Sequence, residues 1–135
     1  MKLWIDANIL LDVLMDRTEH VQDSSTIWKL CETGQTVGYV SSLTFANLVY
    51  VMRKQLSPEK IADIYHKLSL IFEFADLTSS DLAKAADSQW QDFEDALQSV
   101  MAERLHADYI ITRNVKDYKD SKAPACTPTE FLDRL

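Results

Sequence analysis

The first twelve residues constrain the fold most strongly, because a short apolar run leads directly into an aspartate. Leu3-Trp4-Ile5 precedes Asp6, and after Asn8 the apolar pattern resumes with helical spacing. A short apolar run predicts a buried strand, and the longer run predicts a helix. Asp6 is therefore expected at the carboxyl end of a strand, where open α/β sheets bind ligands. The alternative is that Asp6 or Asn8 caps the following helix.

Strands and helices alternate along the rest of the chain. Strands are predicted at residues 2–6, 36–41, 71–75, 108–112 and 123–126. Helices are predicted at 8–15, from Ser24 or Ser25 to Thr33, at 43–52, 58–70 and 92–107, and from Thr127 onward, with a short one after Ser79 or Ser80. This alternation predicts a three-layer α/β/α fold around a mainly parallel sheet of four to five strands. With no linker or repeat, the 135 residues predict a single domain over 1–135.

Charge and composition limit the classes of partner. A net charge of −7 argues against binding nucleic acid by broad neutralisation of phosphates, but it allows cleavage at a metal site. No apolar run is long enough to span a membrane, so a cytoplasmic protein is predicted. Cys31 and Cys126 lack metal-binding spacing and are expected to be reduced and buried, so zinc is not expected.

Polar side chains occur where predicted strands end and the following helices begin. They are Asp6, Asn47, the segment Asp92–Asp95, Asn114 and Asp117. In a parallel sheet these positions approach the same edge, which we call the rim. Carboxylates brought together there repel one another by roughly a few kcal/mol per pair, so a counter-cation is needed. Oxygen ligands without His or Cys favour Mg²⁺ or Mn²⁺.

Each of these residues also has a structural alternative. Asp92 and Glu94 are predicted to serve the positive N-terminus of a long helix, whereas Asp95 precedes its apolar face and is expected to turn toward the protein body. The alternative for Asn114 and Asp117 is that they are ordinary turn residues. The alternative for Thr112 is that it is present only because β-branched residues favour strands. Solvated or capping roles are predicted for the remaining aspartates of interest, Asp12, Asp16, Asp76, Asp81, Asp87 and Asp120.

Four segments in order resemble the PIN domain family, in particular its toxin-type, VapC-like branch. They are Ile5–Asp12, Ser41–Asn47, Asp92–Gln98 and Ile111–Tyr118, and Thr127–Leu132 closes the match. The resemblance implies a Mg²⁺- or Mn²⁺-dependent endoribonuclease that acts as the toxin of a bacterial type II toxin–antitoxin pair. It also implies a homodimer whose acidic rim is covered by a segment of a cognate antitoxin.

The resemblance further implies that Asp6 and Asp95 are metal ligands. Asn47 and Asn114 depart from the family pattern, which often has Glu and Asp at these two places. Hard cations prefer carboxylates to amides, so one metal is predicted rather than two. Asp117 is predicted as a further ligand, directly or through water.

The predicted reaction is attack of a metal-bound water on an RNA phosphodiester, leaving a 5′-phosphate and a 3′-hydroxyl. Asn47, Asn114 and Thr112 are predicted to orient the water or the scissile phosphate. Phosphate contacts, or solvated surface charges as the alternative, are predicted for four basic residues, Arg53, Lys54, Arg113 and Lys116.

Two other functions remain compatible with the sequence. A catalytically weakened PIN-like module that binds proteins is favoured by the two asparagines, Asn47 and Asn114. A phosphoacceptor domain of receiver type also gathers acids at a sheet rim, but it requires an acidic pair on the first turn and a Lys after the last strand.

Overall fold

The structure, a computed structural model, describes residues 1–135. Its five strands are β1 (Lys2–Ile5), β2 (Val37–Ser41), β3 (Glu73–Ala75), β4 (Tyr109–Ile111) and β5 (Ala125–Cys126). Its seven α-helices are α1 (Ala7–Leu14), α2 (Val21–Glu32), α3 (Ser42–Val51), α4 (Pro58–Ile71), α5 (Ser79–Ser88), α6 (Phe93–Arg104) and α7 (Pro128–Asp133). A 3-10 turn, Val115–Tyr118, follows β4.

The five strands form one sheet in the order β3-β2-β1-β4-β5, and every neighbouring pair is parallel. The first three strands extend the sheet in one direction, and β4 and β5 extend it in the other from β1. The strand order therefore reverses between β1 and β4, and such a switch point opens a crevice at the carboxyl ends of the strands. The order also differs from the 2-1-3-4-5 order of flavodoxin-like receiver domains, which makes the phosphoacceptor alternative wrong.

The two faces of the sheet are covered by separate apolar clusters, as the alternation along β1 requires. Leu3 and Ile5 pack into a cluster of 16 buried residues with α1, α2, α3, α4 and α7. Trp4 packs on the opposite face into a cluster of 10 buried residues with α5 and α6. The predicted three-layer α/β/α fold is thereby confirmed.

Several element boundaries differ from the predicted ones. Helix α2 begins at Val21, about a turn early, and Ser24 lies inside it because its hydroxyl donates to Asp12 Oδ2 at 2.9 Å instead of capping. Helix α4 continues through Ile71, so β3 is shorter than predicted. Helix α6 ends at Arg104, where His106 takes a left-handed φ of 57°.

The helix caps that residue type predicts are largely present. Ser57 caps α4 ahead of Pro58, and Thr127 and Glu130 form the predicted capping box of α7. Helix α5 is instead capped by Thr78, with Asp81 completing its capping box. Asp81 is also buried and accepts a hydrogen bond from Arg104 Nε at 3.0 Å, which ties α5 to α6.

Both cysteines, Cys31 and Cys126, are free thiols in the buried interior, as predicted. No helix combines the length and the apolar character that a membrane crossing needs.

Candidate metal site at the sheet rim

Asp6 lies at the switch point between β1 and β4. Its backbone N–H donates to Ile111 O at 3.0 Å, so the residue directly after β1 is fixed against the end of β4. Its Oδ2 accepts a 2.7 Å hydrogen bond from Thr112 Oγ1. Asp6 occupies the N-cap position of α1, but its side chain makes no capping hydrogen bond. Thr112 is therefore the side-chain partner of this carboxylate, and the capping hydrogen bond that the alternative requires is not formed, although the Ala7 backbone N–H is close enough to lower the Asp6 pKa.

Burial raises the pKa of the Asp6 carboxyl above its ordinary value, and the Thr112 hydrogen bond offsets part of that effect. The charge of Arg113 also lowers this pKa, and the charge of Asp117 raises it. A carboxyl group that is buried without a direct cationic partner is costly to ionise, and a bound cation would relieve that cost.

Asp95 comes to the same rim from the first turn of α6. Asp92 caps this helix by accepting from the Asp95 backbone N–H at 3.1 Å, which confirms the predicted helix-terminal role of Asp92. The Asp95 side chain is half-buried, as predicted, and accepts a 3.3 Å hydrogen bond from the Tyr118 hydroxyl. Burial raises its pKa to about 6, and the charges of Asp92 and Asp6 add to the effect.

Asp117 is exposed on the 3-10 turn after β4. Its charge raises the pKa of both Asp6 and Asp95, so all three carboxylates share the rim. No group of three or more His, Cys, Asp or Glu side chains is placed to hold a metal ion. The role of Asp117 as a metal ligand stays a prediction.

The donor set at Asp6 and Asp95 fits a hard divalent cation. Both residues offer carboxylate oxygens, and each has a raised pKa, chiefly because burial disfavours the charged form and in part because neighbouring carboxylates repel it. Mg²⁺ characteristically binds through one or two carboxylates and keeps several waters. Two protein carboxylates are therefore enough for such an ion, although they form no closed cage.

The other predicted site residues surround this pair. Thr112 is fully buried and links two groups, since its Oγ1 accepts from the Asn114 backbone N–H at 3.0 Å and donates to Asp6. The Asn114 side chain itself is exposed. On α3, Asn47 Nδ2 donates to Glu94 Oε1 at 3.0 Å, a contact that the sequence did not indicate.

Arg113 and Asp12 form an ion pair that sequence reasoning missed. Arg113 Nε and Nη2 each donate to the Asp12 carboxylate at 3.1 Å. Ser24 and Arg17 also donate to Asp12, whose exposed fraction is 0%. The prediction that Asp12 is a solvated or capping charge is therefore wrong. One feature of the sequence could have indicated this burial. Asp12 lies three residues after the buried Ile9, and residues three apart in a helix lie on the same face.

This ion pair also changes the expected role of Arg113. Two of its N–H groups are committed to Asp12, so it is not the freely available phosphate contact that was predicted. Arg53, Lys54 and Lys116 are exposed and keep that predicted role. The pair fixes the start of the loop after β4 and thereby supports the position of Thr112.

A polar cavity of about 350 Å³ lies beside the switch point. Arg113 and Asn114 line it from the loop after β4, and Thr129 lines it from the start of α7. His20 and Asp23 close the opposite side, and none of the nine lining residues is hydrophobic. The cavity therefore connects with the loop after β4, but neither Asp6 nor Asp95 lines it.

We predict that Asp95→Asn raises the thermal unfolding midpoint of the metal-free protein at pH 7.5. Because the folded pKa of about 6 lies above the ordinary aspartate pKa of 3.8, the folded protein binds the proton more tightly than the unfolded chain. Ionisation of Asp95 therefore lowers the free energy of unfolding as the pH rises from about 4 to 6, and this loss remains at higher pH. After discounting for solvent screening we expect a gain of about 1 kcal/mol, or about 3 °C.

Asp63→Asn, an exposed position in α4, serves as the matched control and is expected to leave the midpoint unchanged. Below the ordinary aspartate pKa of 3.8, as Asp95 becomes protonated in the unfolded chain as well, the advantage of Asp95→Asn should shrink toward zero. Equal midpoints for the two variants at pH 7.5 would show that Asp95 is not under electrostatic strain.

Comparison with known proteins places this geometry in a family. A sequence profile of the PIN domain matches residues 2–116. No curated protein matches the chain significantly. Among solved structures, VapBC2 from Rickettsia felis, bound to a DNA fragment from its promoter, is similar with a TM-score of 0.70 and 18% identity, over 94% of this chain and 98% of that chain.

Two further structures show the same fold. A toxin–antitoxin complex from Klebsiella pneumoniae is similar with a TM-score of 0.71 and 17% identity, over 93% of this chain and 97% of the other. FitAcB from Neisseria gonorrhoeae has a TM-score of 0.70 and 15% identity, over 94% of this chain and 98% of the other. Because the sequence profile covers most of the chain and the sheet and its helices agree with it, the protein belongs to the PIN domain family.

Proposed function

We propose that the protein is a Mg²⁺- or Mn²⁺-dependent endoribonuclease that acts as the toxin of a bacterial type II toxin–antitoxin pair. The observation that carries the proposal is the pairing of Asp6 and Asp95 at the switch point of the sheet. Both carboxyl groups have raised pKa values, and no cationic side chain hydrogen-bonds to either. Membership of the PIN domain family supports a nuclease at this position.

Asp6 and Asp95 would hold the cation, and Asp117 would serve as a further ligand, directly or through water. The cation supplies Lewis-acid activation of water and of the scissile phosphate. Thr112 keeps the Asp6 carboxylate in one orientation through its 2.7 Å hydrogen bond. Tyr118 does the same for Asp95. Fixing both carboxylates before the substrate arrives lowers the reorganisation that the reaction requires.

The remaining polar groups suit the RNA strand rather than the cation. The exposed Asn114 amide, which lines the polar cavity, and the Oδ1 of Asn47 are proposed to orient the attacking water or the phosphate. Exposed Arg53, Lys54 and Lys116 provide phosphate contacts. Cleavage is proposed to leave a 5′-phosphate and a 3′-hydroxyl.

The proposed partners follow from the structural neighbours. The Klebsiella pneumoniae structure is a toxin–antitoxin complex, and the Rickettsia felis and Neisseria gonorrhoeae structures are described as VapBC2 and FitAcB. We therefore propose a cognate antitoxin as partner. From the resemblance to the VapC-like branch we further propose that a segment of this antitoxin covers the acidic rim and that the chain forms a homodimer, and we propose a cytoplasmic location.

A second candidate function is a protein-binding PIN module with weakened catalysis. It is favoured by the amides at Asn47 and Asn114 and by the absence of a ready-made cluster of three metal-ligating side chains. This alternative requires neither metal binding nor RNA cleavage, so the cleavage assay below separates the two functions.

We predict that purified protein cleaves RNA with Mn²⁺ and loses this activity with EDTA. Asp6→Asn and Asp95→Asn should each reduce the rate by about 100-fold or more, because the cation supplies several kcal/mol of transition-state stabilisation. Asp63→Asn should retain the wild-type rate. The measurement is cleavage of an end-labelled RNA, with mapping of the product ends.

Cleavage that survives Asp6→Asn would contradict the assigned site. Absence of cleavage by wild-type protein in Mn²⁺ would favour the binding module. The thermal midpoint of each variant shows whether a lost activity reflects unfolding.

We predict that induction of the gene alone arrests bacterial growth and that co-expression of the adjacent chromosomal gene relieves the arrest. The arrest should depend on Asp6, because a toxin that acts by RNA cleavage needs its metal site. Colony counts after induction of wild type and Asp6→Asn test this. Arrest by both forms would contradict a toxin mechanism based on this rim, and arrest by neither form would contradict the toxin assignment.

A further inference from the structure

The polar cavity beside the loop after β4 is lined by groups that the proposed metal site does not use. Its volume is about 350 Å³, and none of its nine lining residues is hydrophobic. This volume lies near the lower end of the range of small-molecule sites, roughly 300–1,000 Å³. The cavity therefore has room for one small polar group, and its lining offers nothing to an apolar ligand.

The charges around the cavity disfavour a phosphate as its ligand. Glu19 lines it just before α2, and Asp23 lines it from the first turn of that helix. His20 Nε2 lies 3.8 Å from Glu19 Oε2, and Arg113 is already paired with Asp12. The two lining carboxylates would repel an anion. A neutral ligand that forms hydrogen bonds suits this lining better.

The donors and acceptors that remain free in the lining come from different elements. Arg113 donates to Asp12 from Nε and Nη2, which leaves its Nη1 without a hydrogen-bond partner. Asp23 Oδ2 accepts a 2.6 Å hydrogen bond from Thr129 Oγ1, which orients the carboxylate and leaves Oδ1 without a partner. A matching ligand therefore presents acceptors to the loop after β4 and donors to α2.

Guanine is the nucleobase whose acceptors and donors are separated in this way. Its O6 and N7 are acceptors on one edge, and its N1–H and N2 amino group are donors on another. Arginine bound to O6 and N7 is the commonest specific contact with guanine, and carboxylates accept from base amino groups. Adenine places its amino donor beside the N7 acceptor, so it does not fit a surface that only donates. Unpaired RNA bases are read along such edges.

The cavity is connected to the rim through Thr112. The backbone N–H of Asn114, a lining residue, donates to Thr112 Oγ1 at 3.0 Å, and this hydroxyl donates to Asp6 Oδ2 at 2.7 Å. We propose that the cavity binds one unpaired guanine of the RNA substrate, in a nucleotide that flanks the scissile phosphate. Arg113 contacts the acceptor edge of this base, and Asp23 contacts its donor edge. The inference rests on the proposed function, in which Asp6 holds the cation at that phosphate.

The test is fluorescence anisotropy of the full chain with short labelled RNA strands, in EDTA and at low salt, so that binding is measured without cleavage. An oligouridine strand with one central guanine is expected to bind about 10-fold more tightly than oligouridine, which is the scale of one good base contact. Inosine in place of guanine lacks the N2 amino group. It should weaken binding about 3-fold, because a hydrogen bond to Asp23 is lost.

Asp23→Ala should remove the difference between guanine and inosine, because the carboxylate that distinguishes them is gone. A merely structural role of Asp23 would weaken the binding of both strands and leave their difference unchanged, which would overturn its assignment to the donor edge. The matched control is Asp63→Ala, at an exposed position of α4, which should retain the difference. Thermal midpoints show whether each variant is folded.

This experiment separates the cavity from the metal site because no metal is present. If strands with and without guanine bind equally, or neither binds, the guanine site is wrong whether or not Mn²⁺ supports cleavage. If the chain prefers guanine but cleaves no RNA in Mn²⁺, the proposed nuclease function is wrong and the guanine site stands.

Discussion

The repulsion between carboxylates at the carboxyl ends of β1 and β4 governs the chemistry of this protein. Asp6 and Asp95 come from distant parts of the sequence and lie close enough at the rim for the charge of Asp6 to act on Asp95. Burial raises the pKa of both, and the charge of Asp6 adds to the shift of Asp95. Hydrogen bonds from Thr112 and Tyr118 orient the two groups without neutralising them. The fold therefore gives up stability to keep two poorly compensated carboxylates at the rim, as functional sites often do.

A second group of charges is centred on Asp12. Unlike the carboxylates at the rim, it is compensated by direct partners. Asp12 is buried, yet Arg113, Arg17 and Ser24 satisfy it. Removing one partner of a buried ion pair is strongly destabilising, so this network fixes the loop that begins at Thr112. The arrangement also holds the Arg113 guanidinium on Asp12 rather than between Asp6 and Asp95. The Arg113 guanidinium therefore forms no hydrogen bond with either rim carboxylate.

The local pattern of the sequence was sufficient for the layers, the strands and the two central acids. Apolar strands followed by polar residues predicted the rim, and the start of an apolar helix face predicted the inward turn of Asp95. Local pattern could not predict the Asp12–Arg113 pair, whose members are 101 residues apart, or the Asn47–Glu94 contact, whose members are 47 apart. Such contacts depend on how helices pack against the sheet. The start of α2 was mispredicted for the same reason, because the Ser24 hydroxyl donates to a residue of another helix instead of capping α2.

The central claim is that Asp6 and Asp95 together bind a divalent cation, and anomalous scattering from Mn²⁺ tests it most directly. A crystal of the protein soaked in Mn²⁺ should show an anomalous peak within about 2–2.5 Å of a carboxylate oxygen of each residue, a distance typical of hard cations and oxygen ligands. An ordered rim with no peak between these two side chains, or a peak bound elsewhere on the molecule, would contradict the account.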